Sequence, residues 1–120
     1  MNKIIFDYDF AEYNGKTVMY DFLNELDEFD RAKIIANMDK LVELLSINPY
    51  PNQKLSSHIE DGIFELRVKL KNRISRSFFF FAIGKMIIFT NGFIKKTIKT
   101  PRNEIDKAKR IRDYWRNKNE

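Results

Sequence analysis

Cysteine is absent from the 120 residues, which excludes disulfides, thiolate metal sites and cysteine nucleophiles. Its absence fits a reducing cytoplasm. Histidine occurs once, at His58. A lone histidine without cysteine cannot assemble a zinc site from soft ligands, and no Ser/His/Asp arrangement accompanies it. The four glycines lie apart at 15, 62, 84 and 92, so no glycine-rich phosphate loop is present. No apolar run approaches the roughly 20 residues of a membrane span. The longest, Phe78 to Ile83, is strand-sized. The opening stretch MNKIIFDYDF lacks the apolar core and cleavage site of a signal peptide. These absences lead us to expect a cytoplasmic protein with no membrane partner, no metal and no cofactor.

What is there fits one domain spanning 1–120. Hydrophobic residues make up 43% of the chain and aromatic ones 14%, with eleven phenylalanines. That is enough for one modest core rich in rings. Charge is unevenly spread. Residues 1–60 hold six Lys/Arg against eleven Asp/Glu, and residues 61–120 hold sixteen against six. A small domain with one basic half has the footprint of a polyanion binder. The plain alternative is a solvated basic face.

Along the chain, Lys3–Asp9 (KIIFDYD) reads as an edge-like strand. Phe10–Lys16 reads as a loop with an Asn14-Gly15 turn. Thr17 is placed to cap a helix running to about Glu28, with Val18, Phe22, Leu23 and Leu26 on its buried side. Asp30 is placed to cap a second helix, with Phe29 and Ile34 as a hydrophobic staple. Ile34, Ile35, Met38, Leu41, Val42 and Leu45 form its apolar stripe, so the pair predicts a helical hairpin.

Asn48–Asp61, punctuated by Pro49 and Pro51, reads as a loop carrying His58. Three strand runs follow: Gly62–Lys71, Arg73–Ile83 and Lys85–Ile94. The first alternates Phe64, Leu66, Val68 and Leu70 against Glu65, Arg67, Lys69 and Lys71. Asn72 and Gly84-Lys85 are the expected hairpin turns. Thr100 as cap and Pro101 at the first helical position open a last helix. Its apolar side is Ile105, Ala108, Ile111 and Trp115; Lys and Arg crowd the rest. Strands and helices that do not strictly alternate predict an α+β fold.

Two clusters are chemically notable. One is Glu65-Leu66-Arg67 with Arg73 and Arg76 on the adjoining strand; a solvated face with cross-strand ion pairs would also account for it. The other is Lys95, Lys96, Lys99 and Arg102, where the last strand turns into the final helix; a solvated basic turn would account for that. His58 is a candidate acid or base, since histidine titrates near neutral pH.

At these residues the chain resembles a known family. FELRVKL, then SRSFFFF, then GFIKKTIKTPRNEIDKAKRIRDYW are similar to the signatures of the phage-derived, HigB-like branch of the RelE toxin superfamily. The resemblance covers essentially the whole chain. It implies a RelE-like fold in β-α-α-β-β-β-α order: an antiparallel sheet with a helical hairpin on one face and a C-terminal helix. It also implies a type II toxin that cuts mRNA on the ribosome, and an antitoxin partner of the helix-turn-helix, HigA-like kind. The chain departs from histidine-rich relatives in having His58 alone.

Cleaving RNA without a metal uses the 2′-hydroxyl as nucleophile on the adjacent phosphate. The reaction needs in-line geometry, a base, an acid, and cations for the phosphorane. Arginine suits the last task because its planar fork binds two phosphate oxygens, which points to Arg67 and Arg76. A lysine crowded by cations has a lowered pKa, which points to Lys95 and Lys96 as acid or base. Lys69, Arg73, Lys99 and Arg102 are expected to bind RNA, and Phe93 to stack a splayed base. A non-catalytic binder of RNA or the ribosome on the same fold, held by an antitoxin, fits the basic half equally well. So, less specifically, does an interaction protein whose basic helix docks on an acidic partner.

Overall fold

The computed structural model describes residues 5–49, 55–95 and 99–120. The chain forms β1 (Asp7–Phe10), β2 (Glu12–Tyr13), β3 (Lys16–Thr17), α1 (Val18–Asn24), α2 (Glu28–Ile47), β4 (Ser56–Glu60), β5 (Ile63–Leu70), β6 (Arg73–Ala82), β7 (Met86–Lys95) and α3 (Arg102–Asn119). Five strands make one sheet in the order β1-β7-β6-β5-β4. Strands β4 to β7 pair antiparallel, while β1 runs parallel to β7 at the edge. The architecture is α+β and compatible with a RelE-like fold. No helix among the described residues is long and apolar enough to cross a membrane.

The SFFFF run explains the layering. As part of central strand β6 it must bury both of its sides, and alternation divides its rings between two cores. Phe79 packs with Phe89, Leu66 and Val68 under α1 and α2, which contribute Met19, Phe22, Ile34, Met38, Leu41 and Leu45. Phe78 and Phe80 point to the other face, where Ile63 and Ile88 meet Ile105, Ala108 and Ile111 of α3. Trp115 closes that side edge-on against Phe80, ring centroids 5.5 Å apart.

Several boundaries differ from the sequence expectation. The first strand begins at Asp7 rather than Lys3, which lies outside the described residues. The expected loop after it contains the small β2–β3 hairpin, turned by Asn14 and Gly15, both at positive φ. Thr17 occupies the N-cap position of α1 without a side-chain capping bond, and α1 stops at Asn24 rather than near Glu28. Asp27 caps α2, its Oδ1 accepting from the Asp30 amide at 2.8 Å. Asp30 therefore sits inside the first turn, where it instead accepts from Arg73 Nη2 at 2.6 Å. Phe29 is 77% exposed, so the expected staple does not form.

The loop expected over Asn48–Asp61 holds a fifth sheet strand, β4, with His58 in it. Short polar SSHIE carries no clear strand signal; pairing with β5 makes it one. Pro101 sits at the N-cap and α3 opens at Arg102, with no side-chain cap; Thr100 thus lies outside the helix.

Candidate functional site on the open half of the sheet

α3 covers only part of its face, and cross-strand register shows what the remainder presents. Ser57, Glu65 and Phe78 are neighbours across β4, β5 and β6. The next row is Arg67, Arg76 and Phe93, and beyond it come Lys69, Ile74 and Lys95. Direct partners in a ladder share a face, so Arg67, Arg76, Phe93, Lys69 and Lys95 all project from one surface. Phe93 rests against Phe78, ring centroids 5.5 Å apart. Ile74 stands 38% exposed between the two lysines.

A bulge decides this grouping. Ser77 pairs with Gly92 but Phe79 with Phe89, so β7 carries one extra residue opposite Phe78. Its alternation therefore inverts. Phe89 faces α1 and α2, whereas Phe93 faces the α3 side, and Lys95 follows Phe93. A bulge re-aims side chains in this way. Thr90 and Asn91 are fully buried there. Thr90 Oγ1 donates to Asn91 Oδ1 at 2.7 Å, and Asn91 Nδ2 donates to the Glu104 main-chain oxygen and carboxylate. The bulge is thus tied to the first turn of α3.

The electrostatics follow from the packing. Glu65 is 2% exposed and its Oε1 accepts from Arg76 Nη1. Arg67 Nη1 stands 4.0 Å from the same oxygen. Burial, and next the Arg76 guanidinium, hold the Lys95 ammonium below the usual lysine range. A partly exposed cationic surface with a ring at its margin can hold a phosphate and stack a base.

The structure brings Arg67, Arg76, Lys69, Phe93 and Lys95 together. Lys96 lies outside the described residues. Lys99 is exposed between β7 and α3. Arg102 is committed elsewhere, gripping both Glu60 oxygens at 2.6 Å and Asp106 at 3.0 Å. Arg73 is the register partner of Leu70 and so projects from the helical-hairpin side, paired with Asp30. His58 is also on that side: it pairs with Phe64, lies edge-on to that ring at 4.9 Å, and its Nε2 accepts from the Gly62 amide at 3.2 Å.

Sequence reasoning missed three supports. One is the Thr90-Asn91 bulge, signalled only by a glycine inside a strand. Another is the burial of Glu65. The last is Arg112, on the Lys/Arg-rich side of α3 yet only 6% exposed; it grips the Asp61 main-chain oxygen and carboxylate and so fastens α3 to the β4–β5 turn.

Residues 21–113, from α1 through most of α3, match the family model described as Phage derived protein Gp49-like (DUF891). No curated protein matches the chain.

Proposed function

The chain belongs to the Gp49-like family of phage-derived proteins, within the RelE/HigB-like toxins of toxin–antitoxin systems, and from that premise we propose that it is a metal-independent, ribosome-dependent mRNA endoribonuclease. Family membership implies an antitoxin partner, and a nuclease in general terms. The finer reading places the protein in the cytoplasm, in the HigB-like branch, with a helix-turn-helix, HigA-like antitoxin.

The observation that carries this reading is the row Arg67–Arg76–Phe93 with Lys95 beside it, on the face of the sheet that α3 packs against. In the proposed reaction the 2′-hydroxyl attacks the adjacent phosphorus, and the P–O5′ bond breaks to leave a 2′,3′-cyclic phosphate and a 5′-hydroxyl. Arg67 and Arg76 bind the phosphorane oxygens, worth far more in a partly desolvated site than in water. A base takes the 2′-hydroxyl proton and an acid delivers one to the departing 5′-oxygen; Lys95, with its lowered pKa, and its sequence neighbour Lys96 are assigned to these two tasks. Phe93 stacks a base, and Lys69 and Lys99 track the backbone. In-line alignment comes from the ribosome holding the mRNA.

The test is expression of the chain alone, followed by primer extension on mRNA translated by purified ribosomes. Growth arrest relieved by the antitoxin, with discrete cuts ending in cyclic phosphate, is the expected result. Soluble protein that binds RNA without cutting it would favour the non-catalytic binder.

A further inference from the structure

Glu65 stands where an apolar residue would pack. Phe78 is its register partner, and Ile63 and Phe80, on the same face, are fully buried. A buried ion pair is weak as a stabilising device, because desolvation offsets the attraction. Glu65 Oε1 serves Arg76 Nη1, lies 3.4 Å from the Ser57 hydroxyl and 4.0 Å from Arg67 Nη1. Its Oε2 and the Arg76 Nε are buried with no hydrogen-bond partner among the described residues. Stability alone therefore does not explain the carboxylate.

What it does explain is a pair of like charges. Arg67 and Arg76 are direct cross-strand partners, an arrangement that repels. We propose that Glu65 is a positioning residue: its buried carboxylate fixes Arg76 by one terminal nitrogen and shares its charge with Arg67, holding both guanidinium groups side by side as one preorganised cradle for a phosphate. A charge-assisted bond from the floor of the sheet sets the orientation of Arg76 before any ligand arrives. The choice of phosphate as occupant rests on the function proposed above; the clamping of Arg76 does not.

Glu65→Gln tests this with three readouts. In the free protein, the Arg76 Nη1 protons, which the carboxylate holds, should exchange slowly by NMR in the parent and as fast as those of a surface arginine in the variant. Filter binding of single-stranded RNA should stay equal or tighten, because one negative charge leaves a cationic face. Cleavage on ribosomes should fall about 100-fold, in kcat rather than KM, as for a reacting group displaced by about 1 Å. Glu65→Asp, which keeps the charge but shortens the reach, should lose kcat likewise at the parent's salt dependence.

Arg76 Nη1 protons still protected in Glu65→Gln, or binding and cleavage falling together with the folded fraction, would overturn the proposal. So would failure of both variants to fold, since the carboxylate would then serve stability. A parent that binds RNA but cuts nothing sinks the nuclease reading alone; the exchange and binding readouts still decide the role of Glu65.

Discussion

Asn91 donates its Nδ2 to the main-chain oxygen of Glu104 at 3.2 Å and to the Glu104 carboxylate at 3.0 Å, coupling the bulge of β7 to the start of α3. Asn91→Ala removes both bonds and also takes the Oδ1 acceptor from the buried Thr90 hydroxyl, at a cost of about 1–3 kcal/mol. The melting temperature should fall, and RNA binding at 37 °C should fall with it, because the bulge aims Phe93 and Lys95. An unchanged melting curve would mean that the bulge holds without its tie to α3.

Arg76→Lys keeps the charge and loses the fork. RNA binding should be nearly preserved, with a similar salt slope. Cleavage should drop roughly 100- to 1,000-fold, the loss expected of one transition-state contact of about 2.7–4 kcal/mol. Cleavage at the parent rate would show that charge alone matters at Arg76, and the site assignment would fail.

His58→Ala should leave cleavage on ribosomes unchanged, since the imidazole sits on the helical-hairpin side with its Nε2 engaged by the Gly62 amide. The lost bond and ring contact with Phe64 should lower the melting temperature modestly. A large fall in rate without loss of fold would restore His58 to the chemistry.

Gly92 admits no side chain. A Cβ built there would stand 2.6 Å from Phe22 Cδ2 and 2.7 Å from Phe22 Cε2, a crowding of α1 against β7. Gly92→Ala should cost about 1–3 kcal/mol, as overpacking does, and adding Phe22→Leu should recover part of it. A double variant no more stable than Gly92→Ala would place the strain elsewhere.

Glu60 links β4 to α3 through Arg102 and Lys109, whose hydrogen bonds hold its carboxyl at about 2, against an ordinary value of 4.5. Because that pKa is depressed by folding, its contribution is fully present above the ordinary value. It is lost as pH falls through that value toward 2. The parent's melting temperature should decline over this interval, and Glu60→Gln, lacking the contribution throughout, should decline less. Parallel curves would remove Glu60 from the acid response.

Alternation and periodicity made much of the molecule legible in the sequence. Leu66, Val68 and Leu70 bury along β5, and Ile34, Met38, Leu41 and Leu45 along α2, as expected, but Glu65, on the polar side of the β5 alternation, is buried as well. Local chemistry also marked the hairpin turns, with Asn72 and Gly84-Lys85 at positive φ. From such signals came the α+β class, the helical hairpin, the meander of β5 to β7 and the pairing of Arg67 with Arg76 on adjoining strands. Tertiary structure alone decided the rest, because pairing partners are distant in the chain. β4 is a strand because β5 offers it an edge. Arg73 and His58 leave the patch because their register partners, Leu70 and Phe64, face α2. Phe93 and Lys95 join it only because one extra residue in β7 inverts the alternation. A single inserted residue changes nothing in composition, yet it turns each later side chain to the opposite face of the sheet.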